Sequence, residues 1–337
     1  MPSLDPGLVR AWSAVLALSK VTRNESVLLL LGRIAHPDNV QAARLAVAML
    51  GASLVVMEVE PANSPGKSPF GGGLASNPVA YEALKRADFI IDMMGMDRGR
   101  EQSEILASGA RILLVKEPPE TLMRLVPGLE DKQRVVQAAD RLSKARTMRV
   151  SSPAGTSLLV EVGEYPCLVQ YGFSDERGHW DHWPGSFVAT WPNEGTANGT
   201  VVLSPGDVVL PFKEYVRSPV TMRIEQGYIR SIEGGLDARY LRDYIDKFSD
   251  PEGYAVSHLG WGLYPAAHWT ALGLTDKRDT SGMESRAFSG NFMFSTGPNS
   301  EAGGTRHTPC HLDIPMMDCT VLVDDVPVVV SGSVATH

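Results

Sequence analysis

Cysteine is scarce in this chain. Its 337 residues include three, Cys167, Cys310 and Cys319, an odd set with no C-x-x-C pair. That excludes a disulfide framework and fits a reduced, cytoplasmic compartment. Long apolar runs are missing too; none approaches the roughly 20 residues that a membrane helix needs. The start, Met1-Pro-Ser-Leu-Asp-Pro-Gly7, lacks a basic segment leading into an apolar one, so no secretory signal is expected. Positive charge is in deficit, with 31 Lys and Arg against 39 Asp and Glu and a net charge of −8. Neither nucleic acid nor an anionic membrane is therefore expected as a partner. No G-x-G-x-x-G follows any predicted strand, which removes the dinucleotide-binding fingerprint. Pro65-Gly-Lys-Ser68 resembles the end of a phosphate-binding loop, but Pro61 stands where its first glycine belongs and Pro69 follows at once. Residues 61–78 read instead as a long Pro/Gly/Ser loop, able to cover an active site or to pack on a neighbouring subunit.

What is present is a globular composition, 43% hydrophobic and 21% charged, long enough for two domains. The first part alternates. Leu8–Lys20 has helical spacing, and Val27–Leu31 is a continuous apolar run of the kind found in strands buried on both faces. Asp38 can cap a helix to Leu50, with Gly51 as its C′ glycine. Leu54–Val59, Phe89–Met93 and Arg111–Val115 read as further strands. Asn77-Pro78 opens a helix to Ala87; Arg100–Ala107 and Asp131–Arg146 are helices as well. Strands alternating with helices imply parallel β-α-β units. Beyond Thr147 helical periodicity fades. Short alternating runs separated by turns (Ser157–Val162, Thr200–Leu203, Thr221–Glu225, Tyr228–Glu233) imply antiparallel sheet, with one helix over Leu236–Phe248 and a closing hairpin around Asp324-Asp325. The expected architecture is an α/β domain with a mainly parallel sheet over residues 1–148, then an α+β domain with mixed or antiparallel sheet over 149–337.

Seven of the eight histidines lie beyond residue 178. Setting the terminal His337 aside, they fall in three clusters: His179-Trp-Asp-His182-Trp-Pro-Gly185; His258-Leu-Gly-Trp-Gly262 with His268; and His307-Thr-Pro-Cys-His311-Leu-Asp313. In extended chain, residues i and i+2 face the same way. His311 and Asp313 can thus reach one ion together, and one more histidine completes a 2-His-1-carboxylate face, which leaves positions open for substrate and O₂ as non-haem Fe(II) oxygenases require. His258, set among glycines beside Trp261, suits that third place; the plainer alternative is a buried histidine bonded to backbone. His179 and His182 can be a second metal pair, or one of them, preferably His182 at the rigid Trp183-Pro-Gly turn, an acid/base or substrate-binding group. The alternative is that Trp180, Trp183 and Trp191 are core with the histidines at its polar edge. Cys310 should point away from the His311/Asp313 face and be structural.

These strings carry a family resemblance. Asp181-His-Trp-Pro-Gly185, His258-Leu-Gly-Trp-Gly-Leu263, Phe294-Ser-Thr-Gly-Pro-Asn299 and Thr308-Pro-Cys-His-Leu-Asp-Ile314 resemble the 2,5-dihydroxypyridine 5,6-dioxygenases, ring-opening enzymes of nicotinate and nicotine degradation. That family is similar to the M29 metallo-aminopeptidases. The resemblance spans most of residues 150–330 and rests on architecture more than motifs before that. It implies an M29-like fold, cleavage of the C5–C6 bond to N-formylmaleamate, and a homohexamer acting on a small aromatic N-heterocycle and O₂. It further implies one Fe(II) on His258, His311 and Asp313, with His182 beside the substrate. His179, Trp180 and Trp261 are the further substrate-pocket candidates. Two rivals are a two-metal aminopeptidase, for which Asp207 matches one additional acid, and a silent oligomeric scaffold or binding protein.

Overall fold

The computed structural model describes residues 4–32, 35–59, 74, 77–97 and 99–335. Most of the 61–78 loop, including its Pro65-Gly-Lys-Ser68, lies outside the described residues. The first elements follow the expected alternation: α1 (Pro6–Leu18), β1 (Ser26–Leu31), α2 (Pro37–Leu50), β2 (Ser53–Glu58), α3 (Pro78–Leu84), β3 (Phe89–Asp92), α4 (Arg100–Ala107) and β4 (Arg111–Val115). Proline stands at the first helical position of α1, α2 and α3. Asn77 caps α3 by accepting from the Ala80 amide. Asp38 is not the cap of α2: with Pro37 in the first position, His36 takes that place, and its Nδ1 accepts from the Asp38 amide. Gly51 closes α2 in the left-handed conformation, as expected.

After α5 (Pro119–Arg124) and α6 (Leu129–Ser143) the chain leaves for three strands, β5 (Thr147–Ser151), β6 (Ser157–Glu161) and β7 (Leu168–Gln170). It then returns with β8 (Trp180–Trp183), which pairs in parallel with β4, aligning Leu114 with His182. The resulting sheet has the order β2-β1-β3-β4-β8. Leu28, Leu30, Ile90 and Ile112 from its strands pack with Leu84 and Ile105 from helices, and Trp180 leans on the same cluster.

The chain's compact units are not separated by a single cut between 148 and 149. One compact unit comprises Met1–Lys132, Gln170–Gly185 and Thr275–Met283; the other comprises Gln133–Val169, Ser186–Leu274 and Glu284–His337. Two long-range attachments in the first unit explain the difference: β8 supplies its fifth strand, and the buried Glu117 carboxylate binds the later segment. That carboxylate accepts from the Thr280 and Ser281 hydroxyls and from the Ser281 and Met283 amides.

The second unit contains β9 (Phe187–Thr190), β10 (Asn198–Leu203), β11 (Val208–Val209), β12 (Glu214–Tyr215), β13 (Val220–Glu225), β14 (Tyr228–Gly234) and α7 (Leu236–Asp246). It continues with β15 (Leu259–Gly262), α8 (Ala271–Leu274), α9 (Met283–Ala287, begun by the last residue of the first unit), β16 (Phe292–Thr296), β17 (Leu312–Met316), β18 (Thr320–Val323), β19 (Val326–Val330) and β20 (Ser333–Val334). One sheet of eight strands runs β14-β13-β10-β6-β5-β18-β19-β20, and another of five runs β17-β16-β15-β9-β7. The pairs β10–β13, β13–β14, β9–β15, β16–β17 and β5–β6 are antiparallel, as the period-two patterning implied. Asp324 and Asp325, both at positive φ, make the expected β18–β19 turn.

Candidate metal centre

The five-stranded sheet of the second unit brings three predicted side chains together. Asp313 lies on β17, His311 one residue before it, and His258 one residue before β15. Strand β16 joins them: Ser295 pairs with Asp313 and its hydroxyl donates to the His258 carbonyl at 2.7 Å. One donor atom from each of His258, His311 and Asp313 lies within 4.8 Å of the others. The two Nε2 atoms each stand 3.2 Å from Asp313 Oδ1.

Orientation comes from the surroundings. His311 Nδ1 meets the Thr296 carbonyl at 2.7 Å, an acceptor that requires this nitrogen to carry the proton. The Nε2 lone pair then faces the carboxylate. Two ring nitrogens, each 3.2 Å from one carboxylate oxygen, form with it a donor set that a cation can occupy. Asp313 Oδ1 is also buried with no hydrogen-bond donor aligned to it, an arrangement that calls for an ion or a proton. The donor set suits a divalent transition metal. On the other side of the carboxylate, Arg286 donates from Nε and Nη2 to Oδ2, each at 2.7 Å.

The same packing sets the charges when no ion is bound. Burial opposes charge on Asp313, but the Arg286 guanidinium and the two imidazoles outweigh it and hold the carboxyl well below the ordinary carboxylate range. Burial pushes His258 down. Burial works the same way on His311, but Asp313 overrides it and holds that imidazole up. Cys310 is wholly buried, and burial pushes its thiol up to about 12, consistent with a packing residue. Trp261 is buried on β15; the pleat turns it with Leu259 to the face opposite Gly260 and Gly262.

In the first unit, β8 carries the other candidates. Asp181 accepts from the amides of Tyr171, Gly172 and His182, which ties the main chain at His182 to the incoming loop. A Cβ on Gly185 would come within 2.5 Å of the His182 carbonyl, so only glycine fits there. His179 stacks on Tyr171, and its Nδ1 lies 3.1 Å from the Tyr171 hydroxyl. Trp183 is core: it packs edge-on against Trp12 and donates to the Leu125 carbonyl.

Comparison with known proteins decides the family. The family model for 2,5-dihydroxypyridine 5,6-dioxygenase matches residues 7–336. The 2,5-dihydroxypyridine 5,6-dioxygenase of Pseudomonas putida is 46% identical, over 99% of this chain and 97% of its own. The chain belongs to the 2,5-dihydroxypyridine 5,6-dioxygenase family. It is accordingly an enzyme, an oxidoreductase of the dioxygenase class. The solved structure of the dioxygenase from P. putida superposes with a TM-score of 0.95, covering 98% of this chain and 97% of that one at 46% identity. Wild-type AmpT from Thermus thermophilus superposes with a TM-score of 0.62 over 99% of this chain and all of that one; at 15% identity it shares the fold.

Within this dioxygenase-family chain, some site residues gave no sequence signal. Arg286 stands in an unremarked Ser285-Arg-Ala287 string, and Asn291, which holds its turn, is equally silent. The Thr296 carbonyl is a main-chain group; only its place in the Phe294-Ser-Thr-Gly-Pro string pointed to it. Asp207, the acid matched to a two-metal site, spends both oxygens on the Ser204 and Met317 amides.

Proposed function

We propose that this protein is an Fe(II)-dependent dioxygenase that opens the ring of 2,5-dihydroxypyridine between C5 and C6 to give N-formylmaleamate, a step of nicotinate or nicotine degradation. The observation that carries the reading is the convergence of two imidazoles on one carboxylate oxygen, in a chain of this family. His258, His311 and Asp313 would hold the metal. Bound there, Fe(II) would supply open coordination positions and redox activity to an electron-rich ring and O₂. Both oxygen atoms enter the product, so no external reductant is required. Thr296 would keep the His311 Nε2 lone pair directed at the ion. His182 would take or hold the proton of the 5-hydroxyl at an imidazole nitrogen, on a main chain that Asp181 fixes. His179, Trp180 and Trp261 are proposed as further walls of the substrate pocket.

The two-metal hydrolase reading has less support. Both Asp207 oxygens already accept from main-chain amides, and among the described residues the metal-capable cluster consists of three side chains without Asp207.

The test is anaerobic purification, metal analysis, and O₂ uptake with 2,5-dihydroxypyridine while its ultraviolet absorbance is followed. One iron per chain and equimolar loss of O₂ and substrate are expected. Two ions per chain, or substrate left intact by the iron-loaded protein, would refute the reading.

A further inference from the structure

Asp313 is fixed at its main chain but not, by that alone, at its carboxylate. Its amide and carbonyl both pair with Leu210, at 3.0 and 2.8 Å, and its strand pairs with β16. Rotation about the side-chain bonds would still let the carboxylate grip an ion with both oxygens, or lend Oδ2 to a second one. Arg286 removes both options. Nε and Nη2 of Arg286 both stand 2.7 Å from Oδ2, so that oxygen already carries a guanidinium cation, whose charge opposes a metal ion on the same atom. Oδ1, facing the two Nε2 atoms, is what remains. Arg286 is itself held. Asn291 Nδ2 donates to the carbonyls of Ser285 and Arg286, at the end of α9, while Asn291 Oδ1 accepts from the Gly262 amide at the end of β15. The strand that follows His258 and the turn that carries Arg286 are thus locked by one buried side chain.

We propose that Arg286 is a positioning residue that confines Asp313 to ligation through Oδ1 and keeps the centre to a single ion. The inference rests on the metal reading above. A lysine cannot replace it: the charge is kept, but the planar pair of donors on one oxygen is lost.

The test titrates Co(II) anaerobically into the full-length wild type, Arg286→Lys, Arg286→Gln and His311→Ala, by calorimetry and visible absorption. Wild type should take one equivalent, and His311→Ala should lose it; failure of either sinks the metal reading itself. With both controls in hand, Arg286→Lys should bind about tenfold or more weakly, the loss typical of removing an outer-shell partner. Its d–d bands should move toward higher coordination number as Asp313 becomes chelating. Arg286→Gln should move further, or take up Co(II) beyond one equivalent. Co(II) affinity within twofold of wild type and superimposable bands in Arg286→Lys would overturn the inference, and that variant decides alone if Arg286→Gln does not fold. A purely structural role would lower the melting temperature without moving the bands of the bound ion.

Discussion

Asp313 carries opposite relations on its two oxygens, a guanidinium on one and two imidazoles on the other. Its removal should therefore cost more than orientation. Replacing His258, His311 or Asp313 by alanine should lower iron affinity beyond the roughly 10–100-fold typical of outer-shell partners and abolish O₂ uptake. His182→Ala should retain iron and slow turnover by about 10²–10⁴-fold, the usual worth of a positioned acid or base. Metal analysis beside turnover separates the two classes, and iron loss in His182→Ala would refute its assignment. Asp207 gives a prediction for stability. Burial, assisted by Asp318, pushes its carboxyl from an ordinary 3.8 up to about 6, against the amides of Met317 and Ser204. The folded state thus binds this proton more tightly than the unfolded chain. The contribution is complete below about pH 4 and is lost as the pH rises through about 6. Melting temperatures from pH 4 to 7 should show that decline in wild type and a flatter profile in Asp207→Asn. Equal slopes would sink the prediction. At this scale the His311/Asp313 pair was legible because same-side placement at i and i+2 is local geometry. Arg286 was not, since nothing local marks which arginine will face a carboxylate 27 positions away.

Strand β15 shows why its elements need their particular residues. Gly260 pairs with Ala189 on one neighbour and Met293 on the other, and a Cβ there would lie 1.9 Å from the Val188 carbonyl. Gly262 is as tight, 2.2 Å from the Phe288 carbonyl. The glycines flanking Trp261 are thus steric requirements of the sheet that positions His258. Gly260→Ala should destabilise the protein by about 3 kcal/mol or more, above the common range for overpacking because backbone cannot yield as a side chain can. Denaturant unfolding tests this, and a wild-type midpoint would refute it. Most elements were legible at this level, because proline at the first helical turn, apolar runs and period-two alternation act locally. The cap of α2 moved from Asp38 to His36 through Pro37, and α5 had no pattern long enough to read. Strand β8, four residues long, resembled a histidine-rich loop more than the edge of a sheet built some 65 residues earlier.

For the whole molecule, the chain crosses between its two compact units more than once. Cutting at the boundary the sequence suggested should therefore not release a stable domain. A fragment of residues 1–148 would lack β8 and the segment that Glu117 binds, leaving β4 as an open edge and a buried carboxylate without its donors. Such a fragment should lack a cooperative thermal transition by circular dichroism. A sharp, reversible melt would show that the first unit does not need its later segments. The sequence by itself determined the parallel-then-antiparallel order of elements, the acidic balance and the histidine strings, because periodicity, turn residues and charge act over a few neighbours. Only the tertiary structure decided that β8 closes the first sheet, that His258 meets His311 and Asp313, and that Arg286 claims one carboxylate oxygen. Those choices rest on burial and hydrogen bonds between segments tens to more than a hundred residues apart, whose free energy exists only once the sheets have formed.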